Sequence, residues 1–483
     1  MAQKVIGRTA EMKALKSYLD SGKSEFVALY GRRRVGKTFL IRMAAEDKFS
    51  FYVTGVHDAT KAEQLTAFAI AMQKYSGSER LNIQKNWILA FYELSRYLES
   101  LPKEKKVIFI DELPWMDTPK SGFIAALENF WNSWAALRDD VKLIVCGSAT
   151  SWMINNLIHS RGGLHNRLTH HLLLEPFCLR ECEEYFKEYG FSYSRKQIAE
   201  CYMVMGGIPY YMSMMDRSKS LAQNIDALFF SPNAELKDEF SNLYQALFKN
   251  AGPHIKVITA LSTKGIGLTR KEIIAATGLT DNGAFSTVLE ELENCGFIRK
   301  YSPFGSNVSQ NRKRLDSSSL YQMIDFYTLF YFRFIEKNSY QDEHFWTTSV
   351  NSPLHNIWCG LSFEMLCLCH LKQIKMALGI SGVQTLACSW RGKGDESKKG
   401  VQIDLLIDRK DETINLCEMK YSKDKFEISL AEEQRLSARL DTFRSETNTR
   451  KSVLLTLITA NGLKYNSHSD IVQNEVTLEE LFI

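Results

Sequence analysis

Short apolar runs, each followed by a glycine or an acidic residue, recur in the first third of the chain. Three of them lie in EFVALY (residues 25–30), VIFI (107–110) and KLIVC (142–146). Continuous apolar runs of this length are typical of buried strands in a parallel sheet. The segment TFLIRMAAE (38–46) predicts a helix directly after the first run. The N-terminal pattern therefore predicts an α/β domain built on a parallel sheet.

The middle of the chain changes to short helical patterns that stop at glycines. Helices are predicted in HIKVITALSTKG (254–265), TRKEIIAATG (269–278) and DNGAFSTVLEELENCG (281–296). Thr269 and Glu272 have the spacing of a capping box, which marks the start of the second helix. Strands are predicted in FIRKYSP and SSLYQMID, which follow. Three helices and a hairpin indicate a winged helix-turn-helix.

The charge on the predicted third helix argues against simple DNA binding. Between residues 281 and 296 it carries acidic side chains and no lysine or arginine, although phosphate contacts supply most non-specific affinity. Its first turn offers Asn282 and Ser286 for reading base edges. The following wing is basic, with Arg299, Lys300, Arg312, Lys313 and Arg314. Direct DNA binding and docking within the protein or on a partner therefore both remain open.

The last third begins with aromatic residues in helical patterns (325–369), which indicate a helical core. The segment GVQIDLLIDRKDETINLCEMKYS (400–422) then predicts a β-hairpin. Asp404 interrupts its first strand, and Glu418 and Lys420 interrupt its second. Charges spaced by two share one face of a sheet, and facing carboxylates suit a divalent cation such as Mg²⁺. With the lysine alongside, this arrangement suits metal-assisted phosphodiester hydrolysis.

Length and composition bound these predictions without changing them. The chain has 483 residues, enough for about three domains. With 60 basic and 56 acidic residues, the net charge is only +4, so any nucleic-acid surface has to be local.

Targeting and cysteine patterns point to a cytoplasmic protein. The N-terminus lacks the regions of a signal peptide, and no apolar run approaches the roughly 18–20 residues that span a bilayer. The ten cysteines include no C-x-x-C pair, which indicates reduced thiols rather than a zinc site.

The stretch FVALYGRRRVGKTFL (26–40) has the spacing of a phosphate-binding P-loop, Gly31-x-x-x-x-Gly36-Lys37-Thr38. Backbone N–H groups and the helix N-terminus would face the phosphates of ATP, Lys37 would reach the β- and γ-phosphates, and Thr38 would bind Mg²⁺. The predicted ATP contacts are Gly31, Arg32, Arg33, Arg34, Val35, Gly36, Lys37, Thr38 and Phe39.

Two later strand ends complete the predicted ATP site. The run 107–110 ends in Asp111 and Glu112, the Walker B pattern, in which the aspartate supports Mg²⁺ and the glutamate polarises the attacking water. Ser148 follows the next strand and is a candidate sensor of the γ-phosphate; a plain strand-to-loop turn is the alternative. Arg167, or else Arg161, is the candidate for a positive charge on that phosphate.

Residues 1 to about 235 resemble the AAA-like P-loop ATPases common in archaea and some bacteria, which are related to the STAND group of signal-transducing ATPases. The resemblance rests on IGRTAEMKAL, YGRRRVGKT, IDELPW, CGSAT, LEPF and GGIPYY. It implies that the first segment and the turn Gly207-Ile208-Pro209, through Pro209, contribute to nucleotide binding. It also implies that the winged helix senses the nucleotide state.

The pattern Asp404…Glu418-x-Lys420 resembles the PD-(D/E)XK nuclease core, and Glu364 matches an acidic residue often found upstream. A proline expected before the first aspartate is replaced by Ile403. The resemblance implies that Asp404, Glu418 and Lys420 are catalytic and that Glu364, Asp404 and Glu418 bind Mg²⁺. A degenerate nuclease fold that only binds DNA or protein is the alternative.

The sequence thus predicts four segments: a P-loop AAA-like ATPase core (1–175), a helical lid (176–250), a winged helix-turn-helix (251–325), and a helical segment with a restriction-endonuclease-like α/β domain (326–483). ATP would control a metal-dependent nuclease acting on DNA. The alternative is a STAND-like switch with an inactive C-terminal domain. A homo-oligomer is compatible with either.

Overall fold

The computed structural model describes residues 4–159, 166–248, 250–263, 267–301, 303–305, 319–338, 342–392 and 401–483. It divides into two compact units. The N-terminal unit consists of Met1–Pro176 with Ile208–Tyr210, and the C-terminal unit consists of Phe177–Gly207 with Tyr211–Ile483.

The N-terminal unit is built on a five-stranded parallel sheet in the order β2-β3-β4-β1-β5. The strands are β1 (Glu25–Tyr30), β2 (Phe51–Thr54), β3 (Lys106–Asp111), β4 (Val141–Gly147) and β5 (His170–Leu173). Its helices are α1 (Thr9–Leu19), α2 (Lys37–Ala44), α3 (Lys61–Ser76), α4 (Trp87–Ser100), α5 (Leu113–Met116), α6 (Phe123–Ser133) and α7 (Thr150–Met153), with a 3-10 turn at Ala135–Leu137 and a π-helical turn at Ile154–Ile158.

The three apolar runs explain this sheet. They form β1, β3 and β4, in which every residue is buried. Helices cover the sheet, as parallel sheets require, and the core against them includes Phe51, Ile108, Leu143, Phe91 and Leu127. The predicted α/β domain with a parallel sheet is confirmed.

Two predicted element ends are displaced. Helix α2 ends at Ala44 rather than Glu46, because Glu46 and Asp47 have φ of 52° and 53°, which a helix cannot accommodate. The segment KLIVCGSAT (142–150) predicts a strand up to Thr150, but β4 ends at Gly147 and Thr150 already begins α7.

The C-terminal unit opens with a helical region. Its helices are α8 (Leu179–Glu188), α9 (Arg195–Met205), α10 (Pro209–Met212, whose first two residues belong to the N-terminal unit), α11 (Leu221–Ile225) and α12 (Glu239–Leu247), with a π-helical turn at Asp226–Phe230. Four further helices, α16 (Phe326–Phe330), α17 (Phe345–Ser349), α18 (Pro353–Cys369) and α19 (Leu371–Ala377), form the aromatic segment, with a π-helical turn at Tyr331–Ile335. Trp346 packs against Phe330 and Trp358, each with ring centroids 5.1 Å apart, so this segment is a core as expected.

Between these helical stretches lie three helices and a small antiparallel sheet. The helices are α13 (Ala251–Ser262), α14 (Arg270–Thr277) and α15 (Gly283–Asn294). The sheet has the order β6-β8-β7, formed by β6 (Leu268–Thr269), β7 (Ile298–Tyr301) and β8 (Leu320–Met323). Thr269 and Glu272 make the expected capping box at the start of α14. This is the order of elements that the winged-helix prediction requires.

The end of the chain forms a second five-stranded sheet in the order β15-β13-β11-β10-β9. Its strands are β9 (Thr385–Arg391), β10 (Gln402–Arg409), β11 (Thr413–Lys420), β13 (Ser452–Thr459) and β15 (Asn474–Thr477); β12 (Phe426–Glu427) pairs with β14 (Leu463–Lys464). Helix α20 (Leu430–Thr447) covers one face, and 3-10 turns lie at Ser469–Ile471 and Leu478–Phe482. The predicted hairpin is present as the antiparallel pair β10–β11.

Within the described ranges, no helix has both the length and the apolar character needed to cross a bilayer. All ten cysteines are free, and eight of them are buried.

Candidate functional site

The P-loop joins β1 to α2 in the conformation that its glycines permit. Gly31 has φ of 139°, and a Cβ atom there would lie 2.3 Å from the carbonyl oxygen of Leu174. Gly36 has φ of 91° and precedes the first residue of α2. Side chains are strained at both positions, so the loop depends on glycine for its shape.

Lys37 is folded back onto the P-loop. Its Nζ donates hydrogen bonds to the carbonyl oxygens of Gly31 (2.9 Å) and Arg32 (2.8 Å), and the residue is only 5% exposed. Burial lowers the pKa of Lys37, while the neighbouring Asp111 and Glu112 oppose that shift. The ammonium group is thus held by carbonyls at the mouth of the loop.

The P-loop and the end of β3 meet at one hydrogen bond. The Thr38 hydroxyl donates to Asp111 Oδ2 at 2.9 Å. Asp111 Oδ1 accepts the Glu112 N–H at 2.9 Å and the Cys146 thiol at 2.6 Å. The carboxylate is therefore fixed from three sides, and its 4% exposure leaves little freedom to rotate.

Glu112 and Ser148 face each other across neighbouring strand ends. Glu112 has φ of 46°, which turns its side chain out of the strand direction. Its Oε2 accepts hydrogen bonds from the Ser148 N–H (3.1 Å) and hydroxyl (2.9 Å). The candidate for water activation and the candidate phosphate sensor are thus in direct contact.

Other segments of the N-terminal unit converge on the same end of the sheet. Arg8, in the segment IGR, donates from Nη2 to the carbonyl oxygen of Glu175, in the segment LEPF, at 2.5 Å. The guanidinium of Arg34 in the P-loop lies 4.5 Å from the ring centroid of Tyr210, the residue after Pro209. The Pro209 turn therefore lies next to the P-loop.

The remaining predicted ATP contacts differ in burial. Val35 and Arg32 are buried, whereas Arg33 and Phe39 are half-buried. Arg167 is exposed just before β5, and the structure shows no hydrogen bond or ion pair from it to the described P-loop residues. Arg161 lies outside the described residues. The source of the positive charge on the γ-phosphate therefore stays a prediction.

The C-terminal carboxylates gather where β10 and β11 meet α18. Leu405 pairs with Cys417, so Asp404 and Glu418 occupy the next positions of the antiparallel register. Burial raises the pKa of Glu364, on α18, to about 8, and the negative charges of Asp404 and Glu418 add to this effect. Burial also raises the pKa of Asp404, against a hydrogen bond from the Gln402 amide.

Glu418 is surrounded by cations. Its Oε1 contacts Lys420 Nζ at 2.9 Å and Arg435 Nη2 at 3.0 Å, and its Oε2 accepts from Arg439. Glu432 joins the same network by pairing with Arg435 and with Lys420, the latter at 3.4 Å. Sequence reasoning missed both arginines, although their spacing of four in EEQRLSAR was a visible signal of a shared helix face.

This pairing bears on the predicted metal site. Among the described residues, no three His, Cys, Asp or Glu side chains are arranged to hold a metal ion. Both carboxylate oxygens of Glu418 are already bonded to guanidinium groups. As paired here, the set Glu364, Asp404 and Glu418 does not fit a divalent cation.

The segment predicted to be a winged helix uses its polar groups internally. Asn282 caps α15 by accepting the Phe285 N–H at 3.0 Å, so its side-chain oxygen is not directed at a base edge. Asp281 pairs with Arg270 at 2.7 Å. On the wing side, Arg299 Nη1 donates to the carbonyl oxygen of Leu368 at 2.6 Å. The basic residues Arg312, Lys313 and Arg314 lie outside the described residues.

The described part of the wing, Pro303 and Phe304, packs on the C-terminal sheet. The Phe304 N–H donates to the carbonyl oxygen of Ser389 in β9 at 3.0 Å, and its ring meets that of Phe443 in α20 with centroids 5.1 Å apart. Pro303 forms a bridge to the same serine. These contacts favour the docking alternative over direct DNA binding by the wing.

Comparison with known proteins gives the N-terminal half a family likeness. Residues 6–215 match the family model described as an ATPase domain predominantly from Archaea. An uncharacterized protein of Methanocaldococcus jannaschii is 24% identical over 360 residues, which are 74% of this chain and 75% of that protein.

Two solved structures are also similar. A Walker-type ATPase of Pyrococcus abyssi has a TM-score of 0.46 and 16% identity, covering 67% of this chain and 95% of that one. The ORC2 protein of Aeropyrum pernix in its ADP form has a TM-score of 0.35 and 15% identity, covering 73% of this chain and 97% of that one. The family match and the P-loop geometry together show that the N-terminal part of the chain is a P-loop ATPase domain.

Proposed function

We propose that this protein binds and hydrolyses ATP at the P-loop, and that its nucleotide state controls a C-terminal domain that acts on DNA. The hydrogen bond between Thr38 and Asp111 is the main support for ATP binding and hydrolysis, because it brings the P-loop hydroxyl and the Walker B carboxylate into one site.

In this proposal the P-loop and Lys37 bind the phosphates of ATP. Lys37 exchanges the carbonyls of Gly31 and Arg32 for phosphate oxygens, to which an ammonium group donates strong hydrogen bonds. The backbone N–H groups at the start of α2 add the partial positive charge of a helix N-terminus. Arg32, Arg33, Arg34, Val35, Gly36 and Phe39 complete the loop around the phosphates.

Thr38 and Asp111 would hold Mg²⁺, since a hydroxyl and a carboxylate 2.9 Å apart are the oxygen donors that this ion prefers. When bound, the ion neutralises charge on the β- and γ-phosphate oxygens. Glu112 would accept a proton from the attacking water, and Ser148 would hold the Glu112 carboxylate in place until the γ-phosphate arrives. Arg167 and Pro209 are assigned to the γ-phosphate and to the nucleotide side, respectively.

For the C-terminal domain we propose a metal-dependent nuclease that acts on DNA through Asp404, Glu418 and Lys420, with Glu364 beside them. Support comes from the hairpin register, which puts Asp404 and Glu418 opposite each other. Lys420 lies two residues along the same strand face and reaches Glu418 at 2.9 Å.

One observation favours the second candidate, an ATP switch whose C-terminal domain binds DNA or protein without cleaving it. Arg435 and Arg439 take up both oxygens of Glu418, so the carboxylate is not available to a metal ion in this arrangement. The two candidates differ in whether that pairing opens.

The experiment is plasmid cleavage. Supercoiled DNA is incubated with the full chain and Mg²⁺ or Mn²⁺, with and without ATP, beside Glu418→Ala and Lys37→Ala. Nicking by the wild type but not by Glu418→Ala supports the nuclease, and a change in rate with Lys37→Ala supports control by ATP. ATP hydrolysis with no cleavage of plasmid or single strands supports the switch. Failure to hydrolyse ATP would overturn both candidates.

A further inference from the structure

One face of α20 presents two arginines to the same carboxylate. Arg435 and Arg439 are four residues apart, which places them one above the other on the helix. Arg435 contacts Glu418 Oε1 at 3.0 Å, and Arg439 contacts Oε2. Each oxygen of Glu418 therefore receives its own guanidinium group.

The number of cations exceeds what Glu418 needs. Lys420 reaches Oε1 as well, at 2.9 Å, so three positive groups surround this carboxylate. Glu432 compensates part of this charge through Arg435 and Lys420.

The two arginines are also within reach of solvent. Their side chains are 40% and 25% exposed, whereas that of Glu418 is 11% exposed. Partly exposed ion pairs contribute little to stability. The contribution of these ion pairs to the stability of the fold therefore does not explain why two guanidinium groups contact one carboxylate.

We propose that Arg435 and Arg439 form a binding site for the phosphate backbone of DNA, and that Glu418 is the internal anion that closes this site. The guanidinium fork matches a phosphate as well as a carboxylate, and usually in a bidentate way. Glu418 thereby stands where a backbone phosphate binds when the site opens. This inference rests on the proposed action of the C-terminal domain on DNA, but not on cleavage.

The test measures DNA binding without metal. A fluorescently labelled DNA duplex is titrated in EDTA with the full-length wild type, Glu418→Gln, Arg435→Gln/Arg439→Gln, and the triple variant. Glu418→Gln removes the competing charge, so its affinity should rise by about thirtyfold near 0.15 M salt, and its salt slope should steepen by about two, as for two added phosphate contacts.

The triple variant should lose that gain, and the arginine pair variant should bind as the wild type does. Arg450→Gln, which removes an exposed arginine beyond the end of α20, is the matched control and should change nothing. An unchanged affinity of Glu418→Gln, or a triple variant that keeps the gain, would overturn the proposal.

Thermal unfolding shows whether each variant is folded. If Glu418→Gln does not fold, Glu418→Asp replaces it in the test. Aspartate keeps the charge but is one methylene shorter and cannot reach both guanidinium groups, so a smaller gain in DNA affinity is expected. No gain in affinity for Glu418→Asp would count against the proposal.

Plasmid cleavage separates the phosphate-binding site from the proposed nuclease. A binding gain without cleavage by the wild type leaves this inference standing and removes the nuclease, and cleavage without a binding gain does the reverse.

Discussion

The Thr38 hydroxyl lies 2.9 Å from Asp111 Oδ2, although 72 residues separate the two along the chain between them. The parallel sheet makes this possible, because β1 and β3 both end at the edge where the P-loop begins. A hydroxyl and a carboxylate held this close can both bind the same cation.

Thr38→Val should weaken ATP binding mainly when Mg²⁺ is present. The substitution keeps the shape of the side chain but removes the hydroxyl, so the loss should be about tenfold or more with Mg²⁺, in line with the loss of a charge-assisted contact. Isothermal titration calorimetry with Mg²⁺ and with EDTA checks this. Thr66→Val, whose hydroxyl bonds only a helix carbonyl, is the control. An equal loss in both buffers would contradict the assignment.

Glu112→Gln should bind ATP with nearly unchanged affinity but hydrolyse it about 10²–10⁴-fold more slowly, because the amide cannot accept the proton of the attacking water. Steady-state phosphate release and equilibrium nucleotide binding measure the two effects separately. Ser148→Ala should lower the rate less, since it only releases the Glu112 carboxylate. Glu104→Gln, an exposed glutamate before β3, serves as the control. Normal turnover by Glu112→Gln would remove this residue from the proposed chemistry.

Acid should destabilise the C-terminal unit through His370. Its Nε2 accepts the Leu179 N–H at the start of α8, and burial lowers the pKa of His370 to about 4. An unfolded histidine titrates near 6.5, so the unfolded state takes up the proton first as the pH falls. The contribution of neutral His370 to the free energy of unfolding is complete above pH 6.5. It falls by about 3 kcal/mol as the pH is lowered to 4.

His370→Gln retains a donor and an acceptor but cannot be protonated. Its free energy of unfolding, measured by urea denaturation, should therefore fall less between pH 6.5 and 4 than that of the wild type. His344→Gln changes an exposed histidine and should behave as the wild type does. Parallel pH profiles for His370→Gln and the wild type would contradict this prediction, because they would show that folding does not change the protonation of His370.

Arg299→Gln should leave DNA affinity unchanged, although the residue belongs to the basic wing. Its guanidinium is committed to the carbonyl oxygen of Leu368, at the end of α18. The expected loss is in stability, by about 1 kcal/mol for one hydrogen bond. Anisotropy with labelled DNA and urea denaturation measure the two quantities, with Lys256→Gln on the neighbouring α13 as the control. A clear loss of DNA affinity would restore the wing as a DNA-binding element.

Local patterns were enough to place β1, β3 and β4 of the five-stranded N-terminal sheet, the P-loop and the C-terminal hairpin, but not β2 and β5. Gly31 and Lys37 belong to one short motif, and Asp404 and Glu418 to one hairpin, so their positions follow from nearby residues. Contacts between distant segments could not be predicted this way. Cys146 reaches Asp111 only because β3 and β4 are neighbours in the sheet, and Arg439 reaches Glu418 only because α20 covers β11.

The contact of Phe304 with Ser389 covers an edge of the C-terminal sheet that could otherwise pair with other molecules. β9 is the last strand of its sheet, and an uncovered sheet edge is a template for pairing with other molecules. Phe304 covers part of this edge through its hydrogen bond to Ser389, and its ring lies beside that of Phe443. A fragment that begins at residue 326 would thus expose β9, which the preceding segment covers in the full chain. The last 158 residues, numbered 326–483, are expected to aggregate when made alone and to remain dispersed when the segment from 251 onward is kept.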